Sequence, residues 1–151
     1  MLTPSAVRRA FVPALLAAFL TAGACARRES SGGGGESKVP FASLKFDEAL
    51  GRARTQNRLV MVDVYTDWCG WCKKMDRDTF GDARVAEALK EIIPIKVNAE
   101  KGGEAVAQRY EVRGFPTVLF LSGSGEVVKK IEGYVGAEEM LKIVRSLPKG
   151  T

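Results

Sequence analysis

Two cysteines stand three positions apart in Trp68-Cys69-Gly70-Trp71-Cys72-Lys73, and that spacing is the strongest chemical signal in the chain. At the start of a helix such a pair closes a small disulfide with little backbone movement. The two sulfurs are then unequal. Cys69 falls at the helix N-terminus, where unpaired N–H groups and the helix dipole stabilise a thiolate. Cys72 lies one turn further in and is more shielded. Cys69 is therefore expected to attack a disulfide, and to be the more exposed sulfur, while Cys72 resolves the mixed disulfide. Two blander readings stand beside this one. As a structural staple the loop is so short that it would constrain almost nothing. As half of a zinc site it would need a second subunit, because the chain carries one such pair.

Asp63 is the second unusual residue. It interrupts the apolar run Leu59-Val60-Met61-Val62-Asp63-Val64-Tyr65, where a carboxylate is costly to bury and its pKa rises if it is. Either it accepts the proton of Cys72 as the mixed disulfide breaks, directly or through water, or it is an edge acid that reaches solvent. Lys96, in Ile95-Lys96-Val97, either partners Asp63 from a neighbouring strand or faces water. Lys73 either adds positive potential beside Cys69 or only solubilises the surface. Trp68 and Trp71 bracket Cys69, with Trp71 expected to offer an exposed apolar contact to a partner segment or else to pack on the first helix. Gly114-Phe115-Pro116-Thr117 precedes a strand. The peptide bond before Pro116 is trans by default; if cis, it would turn the backbone so that Phe115 and Thr117 face an extended substrate.

Other chemistries are excluded or left without support. The chain has no histidine, which removes His-based triads, His-ligated zinc and imidazole bases. Lysine and arginine total 23 against 18 acidic residues, or +5. The basic residues alternate with acidic ones, so no nucleic-acid partner is expected. Gly32 to Gly35 lacks the strand, helix and GK[ST] ending of a phosphate loop. Met61, Met75 and Met140 read as core residues. No cofactor and no metal site are expected.

These residues must be positioned by a layered domain. Phe46, Ala49, Leu50 and Ala53 recur at helical spacing and mark a first helix ending near Asn57. The run Leu59 to Tyr65 reads as a central strand covered on both faces. The cysteine motif opens a helix through Met75, interrupted at Phe80-Gly81-Asp82. Asp82 caps a further turn whose Val85, Leu89 and Ile92 face the core. Ile93 to Asn98 is a second parallel strand, with Pro94 tolerable near its start. Glu104 to Tyr110 is a short helix. Thr117 to Leu121 and Val127 to Ile131 flank a hairpin turn, and Met140, Ile143, Val144 and Leu147 line a last helix. The order β-α-β-α-β-β-α, with an extra helix in front, is an α/β pattern whose sheet is covered on both faces.

The N-terminus reads as a targeting segment. Arg8-Arg9 precede an uncharged stretch from Ala10 to Ala26, too short to span a bilayer comfortably and interrupted by Pro13. Ala22-Gly23-Ala24-Cys25 resembles the lipobox of bacterial lipoproteins, with Cys25 as the lipidated residue. Ala22 replaces the larger aliphatic residue usual there, and ordinary cleavage nearby is the alternative. Arg27 to Pro40 is a Gly-rich segment that cannot repay the entropy of ordering its backbone. The expected organisation is a signal peptide over 1–24, a flexible tether over 25–40, one domain over 41–148 and a tail over 149–151.

VDVYTDWCGWCK together with GFPT resembles the thioredoxin superfamily over about residues 41–148. The likeness extends through KKMDRDTFGDARV to its extracytoplasmic branch, which includes the C-terminal domain of the thiol:disulfide interchange protein DsbD. The resemblance implies a thioredoxin-like fold, a central mixed sheet flanked by helices, here with an additional N-terminal helix. It matches the nucleophilic cysteine to Cys69, the resolving cysteine to Cys72, the buried acid to Asp63, its lysine partner to Lys96 and the cis-proline to Pro116. Cytosolic thioredoxins carry Gly-Pro between the cysteines where this chain has Gly70-Trp71. The expected activity is an extracytoplasmic disulfide reductase or electron relay, with net oxidase, isomerase, or non-catalytic binding lipoprotein as alternatives. Expected partners are exported proteins bearing disulfides and a membrane thiol-electron donor, met by a monomer tethered in the periplasm or on the outer cell surface, or else soluble in the periplasm.

Overall fold

The computed structural model of the chain describes residues 37–150; the expected signal segment, Cys25 and most of the expected tether lie outside them. The elements run α1 (Phe46–Gln56), β1 (Leu59–Tyr65), α2 (Gly70–Asp78), α3 (Ala83–Ala88), β2 (Ile92–Asn98), α4 (Glu104–Arg109), β3 (Thr117–Leu121), β4 (Val127–Glu132) and α5 (Ala137–Ser146). The four strands pair in the order β2-β1-β3-β4. β1 runs parallel to β2 and antiparallel to β3, and β3 pairs antiparallel with β4. The sheet is mixed, and it carries the extra helix α1 in front.

Strand alternation divides the core and fixes the site. Val60, Val62 and Val64 of β1 join Ile93, Ile95, Leu119 and Leu121 on the face covered by α1. Leu59, Met61, Val118 and Phe120 join Met75, Phe80 and Met140 on the face covered by α2 and α5. By the same period Asp63 and Lys96 project on the α2 side, and β1–β2 register sets them opposite one another. The near-continuous apolar run of β1 thus reflects burial on both faces, and the one polar residue in it points toward the cysteine helix.

α2 ends where the sequence suggested. Gly81 sits so close to the end of α2 that a Cβ there would lie 2.1 Å from the Arg77 carbonyl oxygen, so only glycine fits. Asp82 then caps α3 by accepting from the Arg84 N–H at 2.8 Å. Ile92, read as the last core position of that helix, instead opens β2, because α3 ends at Ala88. Pro94, which has no N–H to donate, sits on the edge strand, and its carbonyl accepts the Ala42 N–H at 2.8 Å. Residues 38–44 therefore form a strap along that edge. Among the described residues no helix is long and apolar enough to cross a membrane.

Candidate active site

Cys69 is the N-cap of α2, and its sulfur accepts the Cys72 N–H at 3.0 Å. That is one of the donors a helix start leaves unpaired, so a thiolate at Cys69 meets an N–H already aimed at it. The pair is closed as a disulfide with Cα atoms 5.3 Å apart. Cys69 was expected to be the more exposed sulfur, yet both cysteines are 4% exposed. In the closed form the two bonded cysteines are therefore equally shielded.

The charge network lies on the same face. Asp63 is 2% exposed, and Lys96 Nζ lies 3.3 Å from its Oδ2. The same ammonium donates to Asp76 Oδ1 on α2. Burial raises the Asp63 pKa from 3.8 to about 6, against the opposing pull of Lys96 and with a smaller push from Asp76. Burial disfavours the Lys96 ammonium, but the carboxylates of Asp63 and Asp76 outweigh it and raise its pKa. Among the described residues Asp63 Oδ1 has no hydrogen-bond partner, which leaves that oxygen free to take a proton. Neither blander reading fits this placement: Asp63 does not reach solvent, and Lys96 turns inward.

Asp76 escaped the sequence reading. Its signal was there, since it lies four residues after Cys72 and so one turn along the same face of α2. In the run Lys73-Lys74-Met75-Asp76-Arg77-Asp78 it was submerged among charges that face water.

Loops bring the remaining candidate residues together. The Phe115–Pro116 peptide bond is cis. The Pro116 carbonyl accepts the Gly133 N–H at 2.8 Å, where Gly133 holds φ +88. Thr117 is fully buried and its hydroxyl donates to the Gly114 carbonyl at 2.8 Å. Its side chain therefore braces the turn, while Phe115 is half-buried. Trp68 and Trp71 are 67% and 59% exposed. Trp68 sets its ring edge against Phe115 at 6.0 Å and donates its Nε1–H to Glu100 at 3.0 Å. Trp71 packs at 5.6 Å on Tyr134, beyond β4, and not on the first helix. Lys73 is exposed. Glu100 and Tyr134 had no sequence signal, because only the folded loops bring them to the tryptophans. No group of three or more Asp, Glu, Cys or His able to hold a metal occurs among the described residues.

Comparison with known proteins places this geometry. A thioredoxin-like domain model matches residues 46–148. The thiol:disulfide interchange protein DsbD of Haemophilus influenzae is 30% identical over 118 residues, 74% of this chain but 20% of that protein. The chain thus spans about a fifth of the length of the curated relatives it matches. The solution structure of a putative disulphide-isomerase from Bacteroides thetaiotaomicron is 38% identical, with a TM-score of 0.64, over 73% of this chain and 93% of that one. A thioredoxin from Thermus thermophilus is 31% identical, with a TM-score of 0.61, over 66% and 81%.

Proposed function

Because the chain belongs to the thioredoxin-like family and is a thiol–disulfide oxidoreductase, we propose that its Cys69–Cys72 dithiol attacks disulfides of exported proteins. The observation that carries this reading is the Cys72 N–H held 3.0 Å from the Cys69 sulfur at the head of α2. The Cys69 thiolate attacks one sulfur of a partner disulfide, forming a mixed disulfide and releasing the other partner sulfur as a thiolate. Cys72 then loses its proton, to Asp63 in this reading, and its thiolate attacks Cys69. The Cys69–Cys72 disulfide forms, the second partner thiol leaves, and two electrons have passed to the partner. If instead another thiol of the partner attacks the mixed disulfide, Cys69 is regenerated and a bond has been rearranged with no net transfer.

Isomerisation has more support than the net reduction expected from sequence. The Bacteroides relative, matched over 93% of its length, bears the description putative disulphide-isomerase. Both modes begin from the reduced pair, so both need a thiol-electron donor in an oxidising compartment. The targeting-type N-terminus, Cys25 and the Gly-rich run before the domain support an extracytoplasmic, tethered setting with the catalytic unit over 41–148.

The potential of the pair tests the reading. Equilibration against a glutathione series should place it between the isomerase value of about −180 mV and the thioredoxin value of about −270 mV, not at the strongly oxidising value of about −120 mV. Scrambled ribonuclease without added dithiol should regain activity with catalytic amounts of the reduced protein. A potential near about −120 mV with no unscrambling would make the protein a net oxidase.

A further inference from the structure

We propose that Phe41, from the strap ahead of α1, is a positioning residue of the redox site. With Tyr65 it offers an aromatic face to the Lys96 ammonium and holds that cation between Asp63 and Asp76. The Lys96 Nζ lies 5.1 Å from the Phe41 ring centroid and 5.0 Å from that of Tyr65. Both distances are within reach of the attraction between a cation and an aromatic face. The same nitrogen pairs with both carboxylates. A lysine side chain is long and flexible, and a quarter of this one remains exposed. An ordinary lysine so placed would gain hydration by swinging outward. The two rings oppose that swing.

Phe41 is itself fixed. On one side of it the Lys38 and Val39 N–H groups donate to the Phe80 carbonyl at 2.8 and 3.2 Å. On the other side the Ala42 N–H donates to Pro94 at 2.8 Å. The Phe41 ring also meets Phe80 edge-on at 5.2 Å. The strap therefore ties the end of α2 to the edge of β2, with Phe41 between them over the Lys96 cation that joins those elements.

The groups facing Lys96 are Asp63 and Tyr65 from β1, Asp76 from α2, and from the strap the uncharged Phe41 ring. Loosening the cation removes an attraction that favours the ionised form of Asp63, so the carboxyl should titrate at higher pH. Leucine is the informative replacement. It keeps apolar cover over the site but has no aromatic face, whereas alanine would admit water and shift the carboxyl the other way.

The inference deepens the role proposed for Asp63, and it is read separately from turnover. Carbon-13 NMR would follow the Asp63 carboxyl in the full chain with Cys69–Cys72 oxidised, where neither thiol titrates. The wild-type midpoint should lie at about 6. Phe41→Leu should raise it by roughly half a unit or more, Lys96→Met should raise it further, and Phe41→Tyr should restore the wild-type value. In the Lys96→Met background, Phe41→Leu should add no further shift. If Phe41→Leu lowers thermal stability and leaves the midpoint unmoved, or shifts it equally without Lys96, Phe41 is packing alone and the inference is overturned. A shifted midpoint with unchanged turnover would uphold the positioning role and instead remove Asp63 from the chemistry.

Discussion

The ammonium of Lys96 lies 3.3 Å from Oδ2 of Asp63, and it is shared with a second carboxylate, that of Asp76. One cation thus answers two acids on the face of the sheet that α2 covers. Burial outweighs the pull of Lys96 and lifts the Asp63 carboxyl to about 6. A group poised there can give or take a proton near neutral pH, which a normally titrating aspartate does poorly.

Asp63→Asn should slow turnover and stabilise the fold at the same time. The native carboxyl titrates at about 6 against 3.8 for its ordinary value. Between those values the native state keeps a proton that the unfolded state has released, so wild-type stability falls as pH rises through the window. Above it the cost is at most roughly 3 kcal/mol. That cost is already net of the Lys96 attraction, and the neutral asparagine escapes it, so a gain of up to about 3 kcal/mol at pH 7 is expected, vanishing below about pH 4. Turnover should drop at least about tenfold, and the acid limb of the rate profile near 6 should disappear. Denaturant melts and pH–rate profiles of the two proteins check both halves; an unchanged profile removes the proposed base.

How much of this was legible depended on whether the signal was local. The β1 run, the α2 start at Cys69 and the Asp82 cap are one-dimensional patterns, and folding leaves them where sequence put them. Asp63 and Lys96 were legible as candidates because each is the wrong polarity for its strand. Their pairing needed the β1–β2 register, which sequence does not print. Asp76 was hidden because a polar run on a short helix looks solvated from every side until the sheet beneath it is known. The partners of Trp68 and Trp71 are loop residues 32 and 63 positions downstream, Glu100 and Tyr134, beyond any local pattern. The equal burial of the two cysteines was not legible, since the helix-terminus pattern carries no signal for the neighbouring segments that shield Cys69.

Cys25 is expected to anchor the protein and to take no part in redox. The AGAC box and the Gly-rich run that follows motivate this. A single acyl chain anchors weakly and several anchor firmly, so loss of the modified cysteine should change partitioning completely rather than by degrees. Replacing Cys25 with Ser should move the protein from membrane to soluble fractions. Its insulin-disulfide reduction should be unchanged. Membrane retention of that variant after signal cleavage would end the lipidation proposal.

The two sulfurs should separate cleanly when each is removed. A thiolate at Cys69 gains the N–H groups at the head of α2, whereas one at Cys72 sits a turn deeper and has less of that field. Trp68 and Trp71 offer exposed apolar surface on either side for a partner segment. Attack is therefore expected to fall to Cys69. Once the mixed disulfide exists, escape requires a Cys72 thiolate, and its proton must go somewhere dry. Among the described residues Asp63 has one buried oxygen without a hydrogen-bond partner to receive it. Cys72→Ser should leave attack intact and block resolution, so that partner proteins accumulate covalently on Cys69. Cys69→Ser should trap nothing. Asp63→Asn, which slows resolution without abolishing it, should show a smaller and transient accumulation. Mass spectrometry of non-reducing complexes, with the bridged peptides sequenced, distinguishes these outcomes. Trapping through Cys72 in the Cys69→Ser protein, with none in the converse variant, would mean that the N–H at the helix head does not choose the nucleophile.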